Sequence, residues 1–275
     1  MLVTLAELLP RYLDKDAAVG AFNATTFADA EPIVTAAEKR GAPVIVQIGG
    51  WATAFMDIAL WGALLREMAA RASVPVCVHL DHATKVDDIQ KAIDAGFSSV
   101  MIDGSQLPYD QNVAITRDVV ARARKRGVSV EAEIGSVAYS GSASHKDVRS
   151  DPDETARFVR DTGVDAVAVA VGTLHRMERQ ASHIDFDLLA RIGKAVPIPL
   201  VIHGSSGLVD EDIVNLRRTS VCKVNIGTAL RIAFDRSLRQ TLNENPDNYV
   251  TSLLLAKPKK AVEDVVLNKL GLLGF

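Results

Sequence analysis

Eight short apolar runs recur along the chain, and each stops at a polar side chain able to do chemistry. Residues 17–22 stop at Asn23, 43–46 at Gln47, 74–80 at Asp81 and His82, and 98–102 at Asp103. The later runs are 128–132 stopping at Glu133, 166–171 leading to His175, 198–202 stopping at His203, and 221–224 stopping at Asn225. Runs of this length, rich in Val, Ile and Ala, read as buried strands. Between them apolar residues return every three to four positions, the period of a helix lying on a sheet. Strands alternating eight times with helices predict a (β/α)8 TIM barrel, whose strand C-termini converge on one mouth.

The predicted helices occupy residues 27–41, 54–71, 87–95, 112–126, 152–162, 185–195, 210–218 and 227–243. Gly41 stops the first of them, and Asp151 with Pro152 supplies a cap and a first-turn proline to the fifth. Residues 1–16 carry Leu2, Leu5, Leu8, Leu9 and Leu13 at helical spacing and predict an N-terminal capping helix at the bottom of the barrel. Residues 246–275 predict an extra C-terminal helix packed through Val262, Val265, Val266, Leu267 and Leu270. A length of 275 residues is close to the roughly 250 of one such barrel, so residues 1–275 are expected to form a single domain.

Composition narrows the class of partner. A net charge of −3 and a pI near 6.1 leave no basic face for nucleic acid. The apolar stretches are too short or too charged to span a membrane. Cys77 and Cys222 both fall inside strands and are expected to be buried, reduced thiols. With no secretory signal and no cysteine framework, the cytoplasm is the expected compartment.

The segment His79-Leu80-Asp81-His82 is the densest chemical spot. Strand alternation puts Asp81 and His82 on opposite faces, so both reach the mouth only if the chain turns outward there. His79, deeper in the strand, is expected to be a hydrogen-bonded interior histidine. His82, His175 and His203 sit at three independently predicted strand ends, and three imidazoles with a free coordination position suit a catalytic divalent metal. A carboxylate beside one of them, Asp81, could move a proton on a metal-bound substrate. Glu131 and Glu133 share a strand face; Glu133 is read as facing the mouth and Glu131 as an ion-paired neighbour. The loops 203–207 and 225–228 follow strands seven and eight, where barrels commonly build a phosphate site from backbone N–H groups and hydroxyls. Gly49-Gly50 after the second strand is either a close approach to ligand or a plain turn.

The ordered motifs AFN, PVIVQ, VHLDHA, VMIDGS, VEAEIG, DAVAVAVGTLH, HGSSG and KVNIGT resemble the class II, zinc-dependent fructose- and tagatose-bisphosphate aldolases over about residues 19–228. The resemblance implies Zn2+ on His82, His175 and His203, with Asp81 as the acid/base on the hydroxyl at the cleaved carbon–carbon bond. It implies that Asp103 and Glu133 hold the metal, or a second mono- or divalent cation, in an alternative position. Gly204, Ser206, Asn225 and Thr228 would bind the dihydroxyacetone phosphate half. Asn23, Gln47, Arg176 and Gly227 are read as further candidate substrate contacts, outside what the resemblance itself assigns.

The chain also departs from that pattern. Arg176 stands where the family usually has glycine, and Gly227 where it often has a polar or acidic residue. Ala24 and two threonines follow Asn23, where relatives often have a second asparagine. The segment 136–145 lacks the family's loop carboxylate, leaving Tyr139 and His145 as the groups that could replace it. The expected function is a zinc-dependent aldolase cleaving a phosphorylated ketose through a metal-stabilised enediolate, in a homodimer or homotetramer. The alternatives are a non-catalytic zinc barrel that binds a sugar phosphate, as sensor or partner subunit, and a zinc lyase or epimerase acting on a carboxylated sugar through Arg176.

Overall fold

The computed structural model describes residues 1–137, 148–174, 177 and 179–275. Its strands are β1 (Val19–Ala24), β2 (Val44–Ile48), β3 (Val76–Ala83) and β4 (Ser99–Ile102), then β5 (Ser129–Ile134), β6 (Ala166–Val169), β7 (Leu200–Ile202) and β8 (Val221–Ile226). They pair in chain order, all parallel, and β8 pairs with β1 to close the barrel. The helices are α1 (Leu5–Leu8), α2 (Phe27–Arg40), α3 (Gly50–Phe55), α4 (Ile58–Arg71), α5 (Val86–Asp94) and α6 (Tyr109–Arg124). They continue with α7 (Pro152–Thr162), α8 (Phe186–Ala195), α9 (Asp210–Leu216), α10 (Thr228–Glu244), α11 (Thr251–Leu254) and α12 (Ala256–Leu272).

Strand alternation sorts the buried residues into two cores. Val44, Val46 and Ile48 of β2, or Val78 and Leu80 of β3, join the layer between barrel and helices. Their neighbours Ile45 and Cys77 belong to the barrel interior with Val19, Ala21, Ala166, Ala168, Val201 and Cys222. Leu5, Leu8 and Leu9 close this interior from below. Each leucine so buried contributes about 1.5–3 kcal/mol. Further along the same inward faces the sequence turns polar: Asn23, Gln47, His79, Asp81, Glu131, Glu133, Lys223 and Asn225. The floor is apolar and the upper barrel holds the chemistry.

Two elements differ from the sequence reading, and a third, the C-terminal helix, matches it. The N-terminal helix is one turn, α1, capped by a Thr4–Glu7 box and followed by a 3-10 turn at Leu9–Tyr12. Leu2 instead forms a parallel bridge to Val76, with Val3 N–H donating to Val76 O and Val76 N–H to Met1 O at the start of β3. The helix expected at 54–71 is two helices, α3 and α4. Met56 is extended between them, and Asp57 caps α4 by accepting the Ala59 N–H at 2.8 Å. The extra C-terminal helix is α12, and Val262, Val266 and Leu270 are its fully buried stripe, four residues apart. Lys39–Glu263 at 2.7 Å and Lys269–Asp210 at 3.0 Å tie it to α2 and α9.

Candidate active site

The mouth is built first by a backbone feature of β3. His82 has φ 50°, among the described residues the only positive value outside glycine, and the β3–β4 register shifts between Leu80 and Ala83. A left-handed residue costs free energy for any side chain but glycine and marks a functional constraint. Here it turns the chain so that Asp81 and His82 both face the cavity, the condition the alternation argument required. His82 Nδ1 lies 2.8 Å from Asp103 Oδ2, and Asp103 Oδ1 accepts from the Ser105 N–H and hydroxyl at 3.1 and 2.7 Å.

Asp81 sits in a cage of amides from three other strands. Its Oδ2 accepts from Asn23 Nδ2 at 2.8 Å and Gln47 Nε2 at 3.3 Å, and its Oδ1 from Asn225 Nδ2 at 3.2 Å. Gln47 Nε2 also donates to Asn23 Oδ1 at 3.0 Å, which orients the asparagine. The carboxylate is therefore fixed in direction while retaining lone pairs for a proton.

Beneath it lies a layer of buried charge. His203 Nε2 is 2.8 Å from Glu131 Oε1, and Lys223 Nζ is 2.8 Å from Glu131 Oε2, with all three side chains fully buried. His79 Nδ1 meets Ser99 Oγ at 2.8 Å, making it the hydrogen-bonded interior histidine expected. Burial, with Lys223 nearby, holds the His79 imidazole well below its ordinary value. Burial, with His82 and Lys223, does the same to His203. Lys223 is the residue that sequence reading passed over, hidden as one cation inside an apolar run.

The donor set suits a divalent cation. Asp81, His82 and His203 offer ligand atoms within 4.8 Å of one another, and so do His82, Asp103 and Glu133. Burial pulls the His82 imidazole down, but Asp81 and Asp103 outweigh it and raise it to about 10. Burial and the Asp103 charge push the Glu133 carboxyl up to about 8. Buried carboxylates that hold a proton and an imidazolium among them form a field that favours positive charge. A metal ion would relieve both. The two triads share His82, as two neighbouring cation positions would. His175 and Arg176 lie outside the described residues, as do Tyr139 and His145.

A cavity of about 300 Å³ opens over Asp81 and His82, lined also by Asn23, Gly49, Gly50, Gly204, Ser206, Asn225, Gly227 and Thr228. Gln47, Asp103, Glu133 and His203 are not part of that lining; they meet Asp81, His82 or each other below it. Gly204 is left-handed, φ 68°, and starts a 3-10 turn at Ser205–Gly207 whose Ser206 Oγ accepts the Ala229 N–H at 3.3 Å. That contact brings the β7 loop against the N-terminus of α10, where backbone N–H groups suit a phosphate. Gly227 is packed too tightly for a side chain: a Cβ there would stand 2.8 Å from Asn23 Oδ1 and 3.1 Å from Arg231 Nη1. Arg231 and Trp51 line the same cavity and were not read from the sequence. The guanidinium lies 4.7 Å from the Trp51 ring centroid and donates to Thr228 Oγ1 at 2.8 Å. The readable signal was an arginine one turn into the helix after strand eight.

Comparison with known proteins agrees with this geometry. Residues 3–275 match the family described as fructose-bisphosphate aldolase class-II. A 6-phospho-5-dehydro-2-deoxy-D-gluconate aldolase of Bacillus subtilis (strain 168) is 37% identical over 281 residues, covering 99% of this chain and 95% of its own. A probable fructose-bisphosphate aldolase of the same organism is 35% identical over 280 residues, covering 99% and 98%. The crystal structure of the YdjI aldolase from Escherichia coli K12 superposes with a TM-score of 0.88 at 30% identity, covering 100% and 98%. The chain belongs to the class II fructose-bisphosphate aldolase family.

Proposed function

We propose that residues 1–275 form one catalytic unit, a zinc-dependent aldolase that cleaves a phosphorylated ketose carrying a second anionic group. The observation that carries this reading is the meeting of a caged carboxylate, Asp81, with two overlapping cation triads beneath a phosphate-type loop. His82 and His203 would hold the ion, with His175 as third nitrogen, and Asp103 and Glu133 would serve the neighbouring position. Bound zinc would supply a Lewis acid that polarises the ketone and stabilises the charge released by bond cleavage.

The chain's own side chains do the remaining work. In the cleavage direction Asp81 takes the proton from the hydroxyl on the carbon that becomes the aldehyde, and returns it in the synthetic direction. Asn23, Gln47 and Asn225 aim the carboxylate at that proton. Gly204, Ser206, Gly227 and Thr228 receive the phosphate of the dihydroxyacetone half, against the α10 N-terminus. Arg231, held flat on Trp51, suits the second anion, because a guanidinium binds carboxylate or phosphate through paired hydrogen bonds. The relatives' names point to substrates of this kind, a bisphosphate and a phosphorylated sugar acid.

Exposed Phe27 and Phe55, with ring centroids 6.4 Å apart, support assembly as a homodimer or homotetramer. Among the described residues no helix is long and apolar enough to cross a membrane. The cytoplasm remains the expected compartment for work on a small sugar phosphate. Turnover of fructose 1,6-bisphosphate, tagatose 1,6-bisphosphate and 6-phospho-5-dehydro-2-deoxy-D-gluconate, each against fructose 1-phosphate, tests the reading. Cleavage of at least one doubly anionic ketose, abolished by chelator and restored by zinc, is expected. Equal or faster cleavage of the monophosphate overturns the second-anion assignment.

A further inference from the structure

The most unusual feature of the interior is a full ion pair with no access to water. Lys223 lies in the middle of β8, and its Nζ is 2.8 Å from Glu131 Oε2 across the barrel, with both side chains fully buried. Burying two charges costs several kcal/mol per ion, and apolar residues of the same volume would fill the space at no loss of stability. The pair therefore calls for an explanation other than packing. The second oxygen of Glu131 supplies it, since Oε1 lies 2.8 Å from Nε2 of His203. An ionised carboxylate only accepts, so the nitrogen facing it carries the hydrogen. A neutral imidazole then has its lone pair on Nδ1, the atom 3.7 Å from Glu133 Oε2.

We propose that Glu131 and Lys223 are a positioning pair that locks His203 as the Nε2–H tautomer and presents Nδ1 to the metal. The proposal rests on the reading of His203 as a ligand. Glu131 fixes the ring plane and the tautomer. Lys223 fixes Glu131, and it also cancels a negative charge that would otherwise stand bare one layer below the ion. His79 stands at the edge of the same layer, its Nε2 3.7 Å from Glu131 Oε2 and its Nδ1 anchored on Ser99. The carboxylate is thus bounded on three sides and has one arrangement. A glutamine in its place still accepts from Nε2–H but can also rotate and donate, which permits the wrong tautomer. It further leaves the Lys223 charge uncompensated beneath a dication.

The test is the zinc affinity of folded protein, measured by chelator competition, in four forms: wild type, Glu131→Gln, Lys223→Met and the double variant. Glu131→Gln is expected to weaken zinc by roughly 10- to 100-fold, the range typical of such outer partners. The double variant is expected to regain part of that loss, because removing Lys223 removes the repulsion. Affinity unchanged in Glu131→Gln, with only the melting temperature lowered, makes the pair structural and overturns the proposal. His203→Ala separates this from failure of the metal reading: full zinc affinity in His203→Ala removes the ligand itself. Should the charge variants not fold, long-range 1H–15N correlations of histidine-labelled wild type without metal decide the matter. The His203 signal, identified by its absence from His203→Ala or from the milder His203→Gln, is expected to be the Nε2–H form. An Nδ1–H form overturns the proposal.

Discussion

Asp81 and His82 are adjacent in the chain, yet both side chains face the same cavity, because the His82 backbone adopts φ 50° at the end of β3. An ordinary strand would send one of them into the helix layer. The left-handed residue thus places the proton-transfer group and the cation ligand side by side, at a cost in local strain that the packed β3–β4 junction sustains. The pairing makes their roles separable by mutation.

Asp81→Asn keeps the size of the side chain and removes its ability to take a proton. Cleavage is expected to slow by about 10²–10⁴-fold, the range typical of a general acid or base. Zinc content is expected to stay near that of wild type. Loss of metal, with normal rate after zinc is resupplied, would make Asp81 a neighbour of the ligand only.

His203→Ala removes a fully buried ring whose Nε2 meets Glu131. About one equivalent of zinc and all turnover should disappear, while far-UV circular dichroism stays unchanged, since the apolar floor and the helix layer are untouched. Metal analysis after gel filtration, run beside the spectrum, checks both halves. A fully zinc-loaded variant would falsify the assignment.

Gly227→Ala puts a methyl carbon 2.8 Å from Asn23 Oδ1. Asn23 must shift, and with it one of the three donors that aim Asp81. Displacing a positioning group by such an amount can lower kcat/KM by roughly 10- to 100-fold. Overpacking of this kind destabilises by about 1–3 kcal/mol. Steady-state kinetics and a urea titration measure the two effects, and wild-type values in both would show that the cavity wall yields freely.

Asp210 is a stability group away from the site. Burial pushes its carboxyl up, but Lys269 and Gln180 outweigh that and hold it below the ordinary value. A depressed folded value means stability that is present above the unfolded pKa, near 3.8, and lost as pH falls through the folded one. The Asp210 side chain is 52% exposed, so Asp210→Asn should cost less than about 1 kcal/mol at pH 7. Urea midpoints at pH 7 and pH 3 should differ from wild type by less at the lower pH. A gap that widens on acidification would contradict the sign.

The strands were legible because each is a continuous apolar run, and parallel barrel strands are buried on both faces. Asn23, Asp81, His82, His203 and Asn225 were legible as the polar stops of those runs. What escaped depended on partners distant in sequence. Lys223 reads as a lapse in an apolar run until Glu131, three strands away on β5, is seen to face it. Trp51 and Arg231 come from the helices that follow β2 and β8 and gain meaning only where they stack. The φ of His82 was only weakly legible in residue type, since histidine is enriched among non-glycine residues at positive φ but far more often adopts ordinary backbone. Asp57, by contrast, was readable as a cap and would have divided the helix expected at 54–71.

The leucine floor has a consequence for how this catalyst handles protons. Among the described residues, Leu5, Leu8 and Leu9 close one end of the barrel, and the Glu131, Lys223 and His203 side chains above them are fully buried. Asp81 and His82 line the cavity on the other side of that layer. Exchange of the buried His203 ring hydrogen with solvent is therefore expected to slow when a ligand fills the cavity, a change that hydrogen exchange can time.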